Sequence, residues 1–424
     1  MLLTKAPRGT RDILPSEAER WRRVEEKARE LCRLYRYGEI RTPLFEHTEL
    51  FTRSVGEETD LVSKEMYTFE DRGKRRLTLR PESTASVVRA YLEHNLHAVP
   101  QPVKLYYIGP MFRYDRPQAG RYRQFHQFGV EAFGSNHPAL DGEIIDLAHQ
   151  LYLQLGLKDV ALEVNSVGCR ECRPPYRERL KEFFGGKMEG LCDDCRHRYG
   201  TNTLRILDCK EEECRSHFHD VPTLADNLCP ECHGHFSSLK EELQNLKVPF
   251  AVNPFLVRGL DYYTKTVFEF ISPRLGAQSS LGGGGRYDDL VEICGGPPTP
   301  GSGFAVGLER ILLALEEEGV AGEEAPLAVY VASIDEASQP RVNQLVKELR
   351  LKGIACERDF LGRSLKAQLK QAGRLGARLT VLLGGEELQR GQAIIKDMSS
   401  GEQDTLPLDQ LKNTLLDKLA REVY

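Results

Sequence analysis

Hydrophobic and polar positions along the chain follow two periods, and each period predicts a different kind of element. Between residues 16 and 35, apolar residues recur every three or four positions, which is typical of an amphipathic helix. Ser16 and Glu19 have the spacing of a capping box. We therefore expect a core-packing helix from residue 16 to about residue 35, with Ser16 as its N-cap.

The rest of the chain mixes strand and helix patterns. Helical spacing predicts further helices at residues 141–155 and 362–378 and one that starts near Glu82. A charged, glycine-containing linker at 316–325 separates the last part of the chain, an α/β unit of about a hundred residues. Strands are predicted at 39–43, at 104–113, 124–133, 161–164, 262–270, 327–333 and 379–383, and in a charged hairpin at 66–79.

One predicted hairpin has a loop with many cations. Between its strands lie Asp115, Arg116, Pro117, Gln118, Gly120, Arg121 and Arg123. Arg113 and Arg123 lie near the strand ends, where a rigid sheet would direct both guanidiniums at one phosphate. Gln127 and Glu131 are four residues apart and therefore share one face of the second strand. A cation, an amide and a carboxylate in one row suit an amino acid beside a nucleotide, whereas a surface hairpin with solvated arginines is the alternative.

Composition narrows the class of protein. The 424 residues are enough for two or three domains, and 40% hydrophobic and 29% charged residues are ordinary for a globular chain. A net charge of -5 disfavours a protein that coats nucleic acid generally, but it allows a local basic patch. The first residues, MLLTKAPRGTRD, contain no apolar signal region, and no apolar run approaches membrane-spanning length. We therefore expect a cytoplasmic enzyme without a membrane segment.

Most of the 11 cysteines fall between residues 169 and 232. Each C-x-x-C pair offers two thiolates to a tetrahedral zinc ion, and two pairs complete a closed structural site. The spacing predicts one or two structural zinc ions, whereas free, partly buried thiols are the alternative, and His217, His219, His233 and His235 are further candidate ligands. The four cysteine pairs are Cys169 and Cys172, Cys192 and Cys195, Cys209 and Cys214, and Cys229 and Cys232.

Three further stretches carry polar groups suited to a ligand. In LRPESTASVVRAY, Glu82 and Thr84 lie at a helix start, where they face a ligand or simply cap the helix. LVRGLDYYT offers the guanidinium of Arg258 and the phenols of Tyr262 and Tyr263, although an aromatic core strand would have the same residues. LGGGGRY, residues 281–287, predicts a glycine-rich turn, and it lacks the Gly-Lys-Ser/Thr of a P-loop.

The C-terminal part contains one basic helix. GSGFAVGLERILLAL, residues 301–315, predicts a strand, a turn and a helix before the linker. Beyond the linker, the helix predicted at 362–378 has cations at steps of three or four, which form a stripe along one face. Such a stripe is either a solvated surface or a contact with an RNA backbone. Its members are Arg363, Lys366, Lys370, Arg374 and Arg378.

Taken in order, these stretches resemble the class II aminoacyl-tRNA synthetases, in the form found in histidyl-tRNA synthetases. GEIRTPLFEHTELF resembles motif 1, GPMFRYDRPQAGRYRQFHQFGVEAFG resembles motif 2, and GSGFAVGLERILLAL resembles motif 3. LVRGLDYYT is similar to the histidine-specific signature. The resemblance implies an α+β class II catalytic domain built on an antiparallel sheet, with a helical insertion and a C-terminal α/β anticodon-binding domain. It also favours the RNA-contact interpretation of the basic helix.

The same resemblance implies roles for individual residues. Arg113 and Arg258 are the expected catalytic residues, which draw the histidine carboxylate and the ATP α-phosphate together. Glu131 and Tyr263 are expected at the imidazole nitrogens, and Ser83 replaces a glycine that is commoner in the family. Glu82, Thr84 and Gln127 are expected at the α-amino group, Arg258, Tyr262 and Tyr287 complete the histidine site, and Arg113, Arg121, Phe125 and Arg310 are the expected ATP-binding residues.

The resemblance further implies a domain organisation and a set of partners. The expected partners are tRNA-His, L-histidine, ATP with Mg²⁺, and a second copy of the chain in a homodimer. Zinc is not required by the resemblance and depends on the cysteine spacing alone. A synthetase-like regulator of histidine biosynthesis and a prolyl or threonyl synthetase are the alternatives. The domain boundaries expected are 1–167 and 249–320 for the two parts of the catalytic domain, 168–248 for the cysteine-rich insertion, and 326–424 for the anticodon-binding domain.

Overall fold

The computed structural model describes residues 5–56, 59–320 and 327–420, and it divides into two compact units, Met1–Gly322 and Glu323–Tyr424. The strands of the first unit are β1 (Gly38–Glu39), β2 (Phe45–His47), β3 (Tyr67–Glu70), β4 (Arg76–Leu79), β5 (Val103–Phe112), β6 (Gln124–Phe133), β7 (Ala161–Ser166), β8 (Ala251–Val252), β9 (Thr264–Ile271), β10 (Ser280–Arg286) and β11 (Gly301–Gly307). Its helices are α1 (Pro15–Leu34), α2 (Thr48–Val55), α3 (Thr84–Glu93), α4 (Pro138–Leu155), α5 (Arg173–Gly185), α6 (Asp193–Thr201), α7 (Glu212–Arg215), α8 (Pro230–Asn245), α9 (Leu290–Ile293) and α10 (Leu308–Glu317).

The centre of the first unit is an eight-stranded sheet in the order β1-β5-β6-β11-β10-β9-β7-β8. Only the two edge pairs, β1 with β5 and β7 with β8, are parallel, and the five inner pairs are antiparallel. The predicted antiparallel catalytic sheet is therefore confirmed. Strands β2, β4 and β3 form a separate small sheet that contains the predicted charged hairpin.

Period-two alternation gives the large sheet two different faces. On one face Phe128, Val130, Phe304 and Val306 are buried in a core shared with α1, α4, α8 and α10. The residues between them, including Gln127 and Glu131, point to the opposite face. One face is therefore fixed by apolar packing, which leaves the other free to carry polar groups.

Two local predictions in this unit are wrong. Helix α1 begins at Pro15, its N-cap is Leu14, and no side chain caps it, so Ser16 and Glu19 do not form a capping box. Proline presets the backbone angle of the first helical residue and starts the helix one position earlier. The glycine run at 281–287 is not a turn, because β10 pairs on both sides, with β9 and β11, in the middle of the sheet.

Close packing explains why glycine is required in that strand. A Cβ atom at Gly283 would lie 2.5 Å from the carbonyl oxygen of Phe268 and 2.8 Å from Nη1 of Arg258. A strand without side chains has no period-two signal, so the sequence pattern could not distinguish it from a turn.

Residues 167–250, between β7 and β8, form an insertion that contains α5–α8 and several short 3₁₀ turns. In its interior, the buried cysteines pack in one hydrophobic cluster with Tyr176, Leu180 and Phe184. Across the described part of the chain, no helix is long and apolar enough to cross a membrane.

The second unit is an α/β domain with the elements β12 (Val329–Ser333), α11 (Gln339–Arg350), β13 (Cys356–Arg358), α12 (Leu365–Arg374), β14 (Leu379–Leu383), α13 (Gly385–Gln389), β15 (Gln392–Asp397), β16 (Gln403–Pro407) and α14 (Leu408–Ala420). Its sheet has the strand order β13-β12-β14-β15-β16. Its helix α12 is shorter than predicted, because Arg363 precedes it and pairs with Asp359 at 2.8 Å, and Arg378 follows it. Residues 321–325 of the predicted linker lie outside the described residues.

Candidate active site

A cavity of about 500 Å³ lies on the polar face of the eight-stranded sheet. Its walls come from β5, β6, β10, β11, α3, α10 and the loop before β9. All twelve predicted catalytic and binding residues line it, and together they span most of the first unit. They are Glu82, Thr84, Arg113, Arg121, Phe125, Gln127, Glu131, Arg258, Tyr262, Tyr263, Tyr287 and Arg310.

A buried carboxyl group marks one end of the cavity. Glu131 is 1% exposed, one of its oxygens accepts a 2.7 Å hydrogen bond from Thr84, and the other accepts one from Tyr287. Burial raises the pKa of Glu131 to about 8, although these two hydrogen bonds oppose the shift. The pKa of this carboxyl therefore lies far closer to neutral pH than that of an exposed glutamate.

Beside it lie an acidic residue and an amide. The carboxylate of Glu82 accepts hydrogen bonds from the backbone N–H groups of Thr84 at 2.6 Å and Ala85 at 2.9 Å. Glu82 thus caps α3, as the structural alternative predicted, and it lines the cavity as well. Oε1 of Gln127 is buried without a hydrogen-bond partner among the described residues, and a buried acceptor of this kind is suited to a ligand that donates.

Cations gather at the opposite end of β6. The guanidinium of Arg113 lies 5.3 Å from the ring centre of Phe125, and its Nε donates to the carbonyl of Pro81 at 2.8 Å. Burial and the nearby guanidinium of Arg121 lower the pKa of Arg310. Because two cations repel each other here, an anionic ligand between them would be favourable.

One hairpin prediction is wrong. Arg123 does not line the cavity with Arg113. Its guanidinium instead stacks 3.8 Å from the ring centre of Tyr114, and its Nε donates to the carbonyl of Asp115 at 3.3 Å. The cation–π contact directs Arg123 away from the cavity, and only Arg113 of the pair faces it.

Arg258 is held by a residue that the sequence analysis missed. Its Nη1 donates to Glu269 at 2.7 Å, and Ser280 donates to the same oxygen at 2.7 Å. Burial alone would lower the pKa of Arg258, but Tyr263 and Glu269 outweigh burial and raise it. Alternation along β9 was the available signal, because it places Glu269 on the polar face opposite Gly283.

Tyr107 is a second missed residue. It lines the cavity from β5, opposite Gly129 of β6. Burial and the neighbouring Glu131 raise the pKa of its phenol well above the usual value. Tyr107 could have been predicted from the same alternation, because residues 103–112 place every second side chain on the polar face.

The insertion brings the eight cysteines together in two groups of four. Within each group the sulfur atoms lie within 4.8 Å of one another, and individual Sγ–Sγ distances are 3.7, 3.8 and 3.9 Å. A tetrahedral zinc site with Zn–S bonds of about 2.3 Å has sulfurs roughly 3.8 Å apart. The first cysteine group is Cys169, Cys172, Cys229 and Cys232, and the second cysteine group is Cys192, Cys195, Cys209 and Cys214.

The groups are nested, because the outermost pairs of the sequence meet each other and enclose the inner pairs. Throughout the residues that the structure describes, both metal-compatible groups consist of cysteines alone, so the four candidate histidines take no part. His235 instead contacts Asp141 at 2.9 Å and Thr266 at 3.2 Å. Backbone N–H groups donate to sulfur in both groups, at 3.1 Å to Cys172 and at 3.1 Å to Cys214.

Comparison with known proteins gives matches along the whole chain. A family model described as Histidyl-tRNA synthetase matches residues 9–171 and 212–311, and one described as Anticodon binding domain matches residues 328–418. The matched ranges leave out residues 172–211, which include half of the eight clustered cysteines.

Relatives and a solved structure agree with these models. A histidine–tRNA ligase from Desulforamulus reducens is 57% identical over 414 residues, 97% of this chain and 98% of that protein. One from Pelotomaculum thermopropionicum is 55% identical over 420 residues, 99% of each chain. The crystal structure of apo S. aureus histidyl-tRNA synthetase covers 97% of this chain and 100% of its own, with a TM-score of 0.83 and 41% identity.

Proposed function

The chain belongs to the histidyl-tRNA synthetase family, and on that premise we propose how its residues divide the work of activation and transfer. It is an aminoacyl-tRNA ligase that joins histidine to ATP as histidyl-adenylate, releases pyrophosphate, and passes histidine to the 3′ end of tRNA-His. This membership excludes the prolyl and threonyl alternatives, and the ligase activity excludes the regulator.

The proposal depends above all on the order of groups along β6. Phe125, Gln127 and Glu131 share one face, and six strand residues span roughly 20 Å. The arginines gather near Phe125, the amide of Gln127 lies between, and the buried carboxyl of Glu131 lies at the far end. A nucleotide, an α-amino group and a polar ring, in that order, fit this sequence of groups.

We assign the ring of histidine to the Glu131 end. Glu131 and Tyr263 hydrogen-bond the imidazole nitrogens, while Tyr262 and Tyr287 enclose the ring. Glu82, Thr84 and Gln127 hold the α-amino group. A buried polar site of this kind rejects a side chain without matching donors and acceptors, because its own groups would remain unpaired.

The activation step joins two anions, so charge neutralisation is the main requirement. A carboxylate oxygen of histidine forms a bond to the α-phosphorus of ATP while the bond to pyrophosphate breaks. Arg113 and Arg258 draw these groups together and stabilise the developing charge. Arg121 and Arg310 bind the remaining phosphates, and Phe125 and Arg310 enclose the adenine. No protein nucleophile takes part.

Magnesium is the expected companion of ATP in this reaction. When bound, Mg²⁺ neutralises charge on the departing pyrophosphate. Such ions are held largely by substrate phosphates and by one or two carboxylates. Glu65 and Asp115 line the cavity beside Arg113 and Arg121 and offer suitable oxygens.

We further propose that each cysteine group holds one structural Zn²⁺. Sulfur spacings near 3.8 Å support a tetrahedral site, whereas a disulfide would need about 2.05 Å. Four sulfurs leave no position for water or substrate, so the ions would stabilise the insertion without taking part in the reaction.

A homodimer is part of the same proposal. The segment that resembles motif 1 leaves Leu44 43% exposed and Phe45 49% exposed, and Phe45 contacts Phe69, which is 43% exposed. A second copy that covers this apolar patch would remove it from water.

The C-terminal unit and the cellular location complete the proposal. The α12 cations Lys366, Lys370 and Arg374 are exposed and offer charge to the backbone of tRNA-His. On the opposite side of the helix, Ala372 is buried. A cytoplasmic location, where tRNA and ATP are available, fits this activity.

Exchange of pyrophosphate into ATP, run without tRNA and with each amino acid in turn, tests the assignment. We expect exchange with histidine alone, because only the imidazole pairs with Glu131 and Tyr263. Equal exchange with a second amino acid would remove the ring-recognition assignment. Absence of exchange with every amino acid would require withdrawal of the Arg113 and Arg258 roles.

A further inference from the structure

The insertion contacts the wall of the active-site cavity through two side chains. Nδ2 of Asn202 donates to Oδ1 of Asp261 at 2.8 Å, and Nη1 of Arg205 pairs with Oδ2 of Asp60 at 3.2 Å. Arg205, Asp60 and the neighbouring Leu61 line the cavity. Neither Asn202 nor Arg205 was predicted from the sequence as a functional residue.

Asp261 lies at the centre of the histidine signature. It follows Gly259 and Leu260, which line the cavity, and precedes Tyr262 and Tyr263, which also line it. Its backbone N–H donates to the carbonyl of Val55 at 3.3 Å. A Cβ atom at Gly56 would lie 2.8 Å from its carboxylate, so the aspartate is packed tightly against the end of α2.

The position of Asn202 and Arg205 depends in turn on the second cysteine group. Both residues lie between Cys195 and Cys209, in the short stretch that closes the ring of four sulfurs. The sulfur atoms of Cys195 and Cys209, the two ends of this stretch, lie within 4.8 Å of each other in that group. The second cysteine group is therefore connected, through Asn202, to Asp261 of the histidine signature.

A small cavity lies along the same path. It has a volume of about 40 Å³, and its walls include Asn202, Arg205, Arg258 and Asp261. Nε of Arg205 and Oδ1 of Asn202 are buried there without partners in the part of the chain that the structure describes. Asn202 is held by its hydrogen bond to Asp261, whereas Arg205 is held by its hydrogen bond to Asp60 and also attracts the carboxylate of Asp261. Loss of these contacts would loosen the wall.

We propose that Asn202 and Arg205 are positioning residues for histidine activation. Asn202 holds the signature at Asp261, and Arg205 holds the adjoining wall at Asp60, both in the arrangement that binds histidine. The second cysteine group, with its metal, sets the place of both. This inference depends on the proposed function, since it concerns how the same cavity is kept in shape.

A swap of the hydrogen-bonding pair tests the central contact. Asn202→Ala removes a hydrogen bond to a carboxylate and should raise the KM for histidine about tenfold. Asn202→Asp places two carboxylates together and should raise it about a hundredfold. Asn202→Asp combined with Asp261→Asn restores one donor and one acceptor and should return the KM to within about threefold of wild type.

The readout separates positioning from general damage. The KM for ATP and the thermal midpoint should stay close to wild type in Asn202→Ala and Arg205→Ala, while the KM for histidine rises. Lys210→Ala is the matched control, because Lys210 is an exposed cation directly after that stretch and its partner is Asp208. It should leave both KM values and the thermal midpoint unchanged. Cys209→Ser should lose one zinc per chain and show the same histidine-specific rise.

The outcomes distinguish this inference from the proposed function. If the wild-type chain exchanges pyrophosphate with histidine but Asn202→Ala and Arg205→Ala match it, the positioning role is overturned and the function stands. An equal rise in the KM for both substrates, or failure of the swapped pair to recover, overturns it too. A wild-type chain without exchange overturns both. Should Asn202→Asp fail to fold, the comparison of Asn202→Ala with Lys210→Ala decides.

Discussion

The cavity and the insertion are held in shape by different interactions. The cavity lies on strands whose other face is buried in a core with Phe128, Val130 and Phe304, so backbone pairing fixes where each side chain points. The insertion has four helices, two of them shorter than ten residues, gathered around sulfur atoms. The first region is therefore organised by hydrogen-bond register and the second by its cysteines.

The largest expected effect comes from the carboxyl end of the cavity. Glu131→Ala leaves the hydroxyls of Thr84 and Tyr287 without their shared acceptor, and it removes the proposed partner of the imidazole. Because a site built for a polar ring depends on such partners, we expect kcat/KM for histidine activation to fall about 10³- to 10⁴-fold. Pyrophosphate exchange measures the loss, and equilibrium titration with ATP should show unchanged nucleotide binding.

Glu131→Gln is the matched control, because it keeps the shape and one acceptor. Its kcat/KM for histidine activation should fall less than that of Glu131→Ala. Histidine-dependent turnover retained in Glu131→Ala would contradict the assignment, and loss of ATP binding would mean that the sheet itself was disturbed.

The next effect comes from the other end of the same face. Arg113→Ala removes a cation proposed to stabilise the transferring α-phosphate, and kcat for exchange should fall about 10²- to 10³-fold. Arg116→Ala, an exposed arginine of the same loop, should stay within about twofold of wild type. Equal loss in both variants would indicate that the loop, and not the individual guanidinium, is needed.

Sequence reasoning succeeded where period-two alternation was visible. It placed Gln127 and Glu131 on one face, and it found the strands at 104–113 and 124–133 within one residue of β5 and β6 at each end. It failed at the glycine run, because β10 has almost no side chains to alternate. Glu269 escaped notice because its partner Arg258 lies in a loop, where no periodicity relates the two.

The insertion shows a different limit. The spacing of the cysteines indicated metal ligation, but it could not say that Cys169 meets Cys229 or that Cys192 meets Cys209. Any pairing of four C-x-x-C-like units satisfies the same spacing. The fold of α5–α8 decides which cysteine pairs meet. That fold depends in turn on the same pairing, so spacing alone could not predict it.

Loss of a ligand from the first cysteine group should destabilise the insertion and leave the sheet intact. Metal analysis should find about two zinc ions per chain, as expected for two closed four-thiolate sites. Cys169→Ser should lose one ion and lower the thermal midpoint by roughly 10 °C, because the metal contributes directly to folding. Protease cleavage should concentrate in residues 167–250.

Cys294→Ser is the control for the loss of a thiol outside the groups, and it should keep both ions. A chain that contains no zinc yet keeps the insertion resistant to protease would contradict the metal assignment. The cavity, which depends on the sheet, should retain ATP binding in Cys169→Ser.

The smallest expected effect concerns pH and belongs to the cavity alone. Burial raises the pKa of Glu131 from 4.5 to about 8, so between these values the folded chain keeps a proton that the unfolded chain has released. The contribution of Glu131 to the free energy of unfolding is therefore greatest below pH 4.5. It declines as pH rises toward 8, by at most about 1.4 kcal/mol per pH unit. Glu131→Gln carries no titrating proton. From pH 5.5 to 7.5 the free energy of unfolding in urea should therefore fall by about 2.5 kcal/mol more in wild type than in Glu131→Gln. Parallel pH profiles in the two proteins would mean that Glu131 is already ionised in the folded state, and the site would then present a fixed anion to the imidazole.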